Sequence, residues 1–80
     1  MDSITVQLEV NPVVQRMMEK PPESRLSLAA GATVRDLLAG IGLATRGSRL
    51  LLSVNGRLVS QLTALAEGDR VAILPVLGGG

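Results

Sequence analysis

The sequence predicts an α+β fold in which one amphipathic helix lies across one face of a mixed sheet. Three observations predict it. Ile4, Val6, Leu8 and Val10 alternate with polar residues, Val34, Leu37, Leu38 and Ile41 recur at helical spacing, and the apolar runs Leu50 to Val54 and Val71 to Leu74 are set off by glycine turns. With 80 residues the chain supports one core, because a domain this small buries only about 60% of its unfolded surface. That core has to be built from branched aliphatics, since 46% of the residues are hydrophobic and none is Phe, Trp or Tyr.

Taken in order, Ile4 to Val10 has the period-two pattern of a strand with one buried face. Asn11-Pro12 then opens a short helical turn through Val13, Val14, Met17 and Met18, with Pro12 where its missing donor does no harm. Lys20-Pro21-Pro22-Glu23 stops that turn, Arg25 to Leu28 reads as a short second strand, and Ala30-Gly31-Ala32 is a break. Thr33 and Asp36 have the spacing of a capping box, although Asp is shorter than the preferred Glu. The stripe Val34, Leu37, Leu38 and Ile41 makes the main helix, ended by Gly40 and Gly42. Leu50 to Val54 is a third strand. Asn55-Gly56 predicts a two-residue hairpin turn, since both central positions of a type I′ turn need positive φ, and the chain returns through Arg57-Leu58-Val59. Ala64 to Asp69 reads as a turn or a short 3₁₀ piece, and Val71 to Leu74 is the last strand before Pro75. The order strand, strand, helix, strand, strand, strand is that of a β-grasp domain over residues 1–75, with residues 76–80 as a flexible glycine tail.

Composition excludes several functions. There is no Cys and no His, so thiol nucleophiles, the usual zinc ligands and the commonest general base are all missing, and no metal site is expected. The net charge is +1 with acidic and basic residues interspersed, and no aromatic side chain is present to stack on a base, which argues against nucleic acid. Met1-Asp2-Ser3 leads straight into the first strand and no apolar run reaches membrane-spanning length, so a soluble, cytoplasmic protein without a membrane partner is expected.

The chemistry is expected at the end of the chain, Val76-Leu77-Gly78-Gly79-Gly80. A glycine tail is thin and costly to hold still, so it contributes little to a fold. It can, however, pass through a narrow tunnel in another protein and present its α-carboxylate there. Val76, Leu77, Gly78 and Gly79 would be the part of the tail inside that tunnel, and Gly80 would carry the reacting group. A second expectation follows from strand alternation. If Val71 and Ile73 face the core, Ala72 and Leu74 face outward, and Leu58 lies outward in the neighbouring strand. Leu58 and Leu74 would then form a docking surface at the root of the tail. Asn55-Gly56 and Gly68-Asp69 are assigned to turn chemistry alone.

Val54-Asn55-Gly56-Arg57-Leu58-Val59, then Leu65-Ala66-Glu67-Gly68-Asp69-Arg70 followed by Val71-Ala72-Ile73-Leu74-Pro75 and the terminal glycines, resemble the ubiquitin-like sulfur carriers of the MoaD/ThiS family. The resemblance implies that Gly80 is adenylated by an ATP-using, E1-like adenylyltransferase and converted to a thiocarboxylate, with ATP used by the partner and no cofactor held by this chain. A carboxylate is ionised at neutral pH and a poor electrophile, so such activation is chemically necessary. The chain has no phosphate-cradling Gly-x-x-x-x-Gly-Lys-Ser/Thr loop, so it is expected to be a protein co-substrate or non-catalytic small subunit rather than an enzyme. A second implied partner is the larger catalytic subunit of a sulfur-accepting synthase, with the small subunit of molybdopterin synthase as the nearest counterpart. Two positions depart from the family pattern: Glu9, where the family often has an aromatic residue, and Gly78, where Ser, Thr or Ala is commoner. Sulfur supply for thiamin thiazole or cysteine synthesis, a protein modifier joined through Gly80, and a binding module that uses only the sheet surface are the alternatives.

Overall fold

The computed structural model describes residues 2–18, 20, 22–43 and 50–76. Five strands and two helical segments follow one another as β1 (Ser3–Val10), α1 (Pro12–Gln15), β2 (Arg25–Ala29), α2 (Val34–Gly40), β3 (Leu50–Val54), β4 (Arg57–Leu58) and β5 (Arg70–Pro75). The strands form one sheet in the order β2-β1-β5-β3-β4. Only the central β1 and β5 run parallel, and every other neighbouring pair is antiparallel. This is the β-grasp arrangement that the element order predicts, a mixed sheet grasping one helix.

The inner face of the sheet and α2 share an entirely aliphatic core. Val6, Leu8 and Val10 of β1, Leu50, Leu52 and Val54 of β3, and Val71 and Ile73 of β5 are buried, and Val34, Leu37 and Leu38 of α2 close over them. Ile41, the last residue of the predicted stripe, is half-buried and sits just past the end of the helix. Among the described residues no polar or charged side chain is buried, so the core carries no desolvation penalty that a partner group would have to offset.

Local chemistry explains both ends of α2. Thr33 and Asp36 form the reciprocal capping box: the Thr33 N–H donates to Asp36 Oδ2 at 2.9 Å, and the Asp36 N–H donates to Thr33 Oγ1 at 3.3 Å. The shorter Asp closes the box after all. The next two unsatisfied donors, the N–H groups of Val34 and Arg35, reach the carbonyls of Thr63 and Gln61 in the loop after β4, which binds that loop to the helix start. At the other end Gly42 has φ +83, the Leu43 N–H donates to the Leu38 carbonyl at 2.8 Å, and the Gly42 N–H donates to Ala39 at 3.3 Å. These bonds make a Schellman motif, and the buried Leu43 supplies its apolar contact.

Several boundaries differ from expectation. β2 extends to Ala29 because Ser3 pairs with that residue. β4 holds only Arg57 and Leu58, although the Val59 N–H still donates to the Leu52 carbonyl at 2.9 Å. Pro75 belongs to β5, opposite Leu50, rather than following the strand. The segment before β5 is a turn at Glu67-Gly68, with Ala64 bridging back to Thr33, and it contains no 3₁₀ helix. The break at Lys20 to Glu23 lies between α1 and β2, and Pro21 falls outside the described residues.

Candidate functional site

The end of β5 is built differently from its start. At the start, Asn55 has φ +54 and Gly56 φ +84, the left-handed pair of a type I′ turn. The Asn55 side chain then spans to the neighbouring loop: its Nδ2 donates to Asp69 Oδ1 at 2.9 Å and its Oδ1 accepts from the Arg70 N–H at 3.0 Å. Asp69 Oδ2 accepts from the Ala66 N–H at 2.8 Å, and Gly68, at φ +83, donates to the Thr5 carbonyl. The Asn-Gly and Gly-Asp motifs therefore lock two turns to each other, which is the structural role assigned to them.

At the other end β5 runs out through Leu74 and Pro75 to Val76 in the middle of the sheet, with β1 on one side and β3 on the other. The Asn11 N–H holds the Ile73 carbonyl at 2.9 Å, fixing the start of α1 against this exit. Val76 is exposed. Leu77, Gly78, Gly79 and Gly80, on which the expected chemistry falls, lie outside the described residues.

The outer face of the sheet is uncovered by any described element of the chain, and strand register orders its side chains into rows. One row reads Glu9, Ala72, Ser53, Leu58 across β1, β5, β3 and β4. Next to it, nearer the exit of β5, Leu74 pairs with Leu51. Leu58 is 69% exposed and Leu74 37%, so both point outward as alternation predicts. Leu51, at 40%, joins them and was not anticipated. It sits in the unbroken run Leu50-Leu51-Leu52, which hides its own alternation. Counting in twos back from the buried Val54 makes Leu52 and Leu50 inward and Leu51 outward, and that count was the available signal. On the β1 side the face turns polar, with an open depression of about 340 Å³ lined by Gln7, Leu8, Glu9, Ser24, Arg70 and Val71.

Among the described residues no three His, Cys, Asp or Glu side chains gather into a metal site, and no helix is long and apolar enough to cross a membrane. The site is thus an apolar strand exit beside a bare sheet face.

The ThiS family model matches residues 12–80, from the start of α1 to the last glycine. The chain belongs to the ThiS family. Solved structures agree on the fold. A provisionally assigned molybdopterin converting factor subunit 1 from Pyrococcus furiosus superposes with a TM-score of 0.72 at 24% identity, covering 92% of this chain and 99% of the other. Small archaeal modifier protein 1 of H. volcanii gives the same TM-score and coverage at 18% identity. The ubiquitin of Caldiarchaeum subterraneum matches at 0.57 and 16% identity, over 99% of this ThiS-family chain and 100% of the other. At these identities the likeness is one of fold: the domain is a ubiquitin-like β-grasp. Family and fold together make it a ubiquitin-like β-grasp member of the ThiS family.

Proposed function

We propose that this ThiS-family protein is a sulfur carrier whose reactive group is the α-carboxyl of Gly80. The observation that supports this most directly is the family match running through the terminal glycines, on a fold whose central strand ends beside exposed leucines. In the first step the Gly80 carboxylate attacks the α-phosphate of ATP in the site of an E1-like adenylyltransferase, and pyrophosphate leaves. The resulting acyl adenylate is a mixed anhydride with a good leaving group. Hydrosulfide, or an enzyme persulfide followed by a thiol reductant, then attacks the Gly80 carbonyl carbon. A C–S bond forms, the C–O bond to phosphate breaks, and AMP departs to leave a thiocarboxylate.

This chain contributes shape rather than catalysis, as a protein co-substrate or small subunit. Val76 to Gly79 thread the partner's tunnel, and glycine is the residue that narrow walls tolerate. Leu58 and Leu74, joined by Leu51, seat the sheet on the partner. The ATP belongs to the activating enzyme. The acceptor most in keeping with the Pyrococcus neighbour is a molybdopterin precursor held by a larger synthase subunit. The second reading, a modifier that passes its Gly80 acyl group to lysines of other proteins, draws on the likeness in fold to the Haloferax modifier.

Intact mass spectrometry after incubation with the organism's own E1-like enzyme, ATP and a sulfur donor tests the reading. A mass gain equal to exchanging one oxygen for sulfur, localised to Gly80 and lost when Gly80 is deleted, is the expected result. An unchanged mass with an enzyme active on ATP sinks the carrier, and high-molecular-weight adducts in cells select the modifier instead.

A further inference from the structure

The row Glu9, Ala72, Ser53, Leu58 is large at both ends and small in the middle. Neighbouring strands lie ~4.8 Å apart, so its ends are separated by about 14 Å, with only a methyl and a hydroxymethyl group between them. Leu74 and Leu51 border this trough on the side of the β5 exit. Glu9 is the carboxylate at its β1 end, and Glu23 comes next beyond it, because the Leu8 N–H donates to the Ser24 carbonyl and carries the β1–β2 register one step further. Two other acidic groups nearby are engaged: Glu67 accepts from the Thr5 N–H, and Asp69 accepts from Asn55 and Ala66. Among the described residues the Glu9 carboxylate has no such donor.

We propose that the partner protein fills this trough with an arginine, its methylene stem lying over Ala72 and Ser53 along the leucines and its guanidinium on Glu9. This rests on the reading of the outer face as the partner-docking surface and names what the partner must bring to it. An apolar partner surface pressed onto Leu58, Leu51 and Leu74 takes Glu9 out of water with them, and a carboxylate buried without a counter-charge is strongly unfavourable. A long side chain with an apolar stem and a cationic head matches the trough along its length. Arginine suits it better than lysine, because its planar fork meets a carboxylate with two parallel hydrogen bonds and is more weakly hydrated. Arg70 and Arg25 lie on the same face, on either side of Gln7 in the row below, so the incoming cation settles on the Ala72 side of Glu9, away from that row. Partner choice then depends on charge: a relative with an apolar residue opposite Glu9 is rejected by the cost of burying it.

Titration calorimetry of the full chain against the organism's own E1-like adenylating enzyme tests the assignment, using Glu9→Gln, Glu9→Arg, Leu58→Glu and, as a control at the far end of β1, Asp2→Asn. All three positions are exposed, so the variants fold, and their melting temperatures verify it. The expected pattern is a loss of about tenfold in affinity for Glu9→Gln, about a hundredfold for Glu9→Arg, and no change for Asp2→Asn. If Leu58→Glu weakens binding while Glu9→Gln stays within about twofold of wild type, the arginine is wrong and the docking face stands. Should neither substitution weaken binding, the face is not the partner surface and both readings fall together. An equal loss for Asp2→Asn and Glu9→Gln means that long-range charge, rather than a seated arginine, sets the affinity, and the proposal is overturned.

Discussion

Ile73 and Leu74 are adjacent in β5, yet one is completely enclosed and the other is 37% exposed. The same contrast separates Leu52 from Leu51 in β3. On the inner face the buried positions of β1, β3 and β5 are all Val, Leu or Ile, packed with α2. On the outer face leucines occur only near the exit of β5 and on β4, while β1 offers Thr5, Gln7 and Glu9. A face built only for solubility would be polar throughout, as the β1 side is. Leu58, Leu51 and Leu74 contribute little to the core and gather near the exit of β5, so the inner face makes the fold and the outer face is the one left for the proposed docking role.

Substitutions that act on one face alone test this division. Ile73→Ala removes buried methyl groups and leaves a cavity, so it should cost about 2–5 kcal/mol in urea unfolding, a large share of the stability of a domain this small. Partner affinity per folded molecule should hardly change; a loss as large as that from Leu58→Glu would mean that the faces are not separable. Asn55→Ala touches neither face. It removes the bonds to Asp69 and Arg70 and puts a Cβ-bearing residue without a side-chain amide at φ +54, for an expected loss of about 2 kcal/mol. Leu74→Gln reverses the Ile73 result: unfolding should shift by no more than about 0.5 kcal/mol, while partner affinity falls about tenfold. Calorimetry that shows the opposite order would place Leu74 in the core. The smallest effect belongs to Thr33→Ala, which opens the capping box of α2 at a cost of about 1 kcal/mol and should leave binding of the folded protein intact.

Much of this was legible in the residues. Thr33 and Asp36, Gly42, and Asn55-Gly56 each do what their chemistry predicts, because caps and tight turns are made by side chains and backbone groups within a few positions of one another. The outward direction of Leu58 and Leu74 also followed from simple alternation. Leu51 did not stand out, since three leucines in a row carry no period of their own until a neighbouring strand defines which side is inside. Arg25 and Arg70, scattered in sequence, prove to flank Gln7 in one row of the outer face. Glu9 read only as a departure from a family pattern; its place at the end of a trough shared with Leu58 needs three strand pairings to be known.

Local order, then, decided which segments are strands, where the helix starts and stops, and that the last strand leads into a glycine tail. Those features depend on contacts spanning at most a turn or two of chain. The tertiary structure decided which strands are neighbours and in what register. Residues more than sixty positions apart, such as Gln7 and Arg70, meet because closing the parallel β1–β5 pair buries the apolar sides of both strands under α2. Register is chosen by that shared burial, since a slip of one residue would turn Ile73 outward and Leu74 inward. The composition of the outer face is a consequence of the same choice, and no window along the sequence contains it.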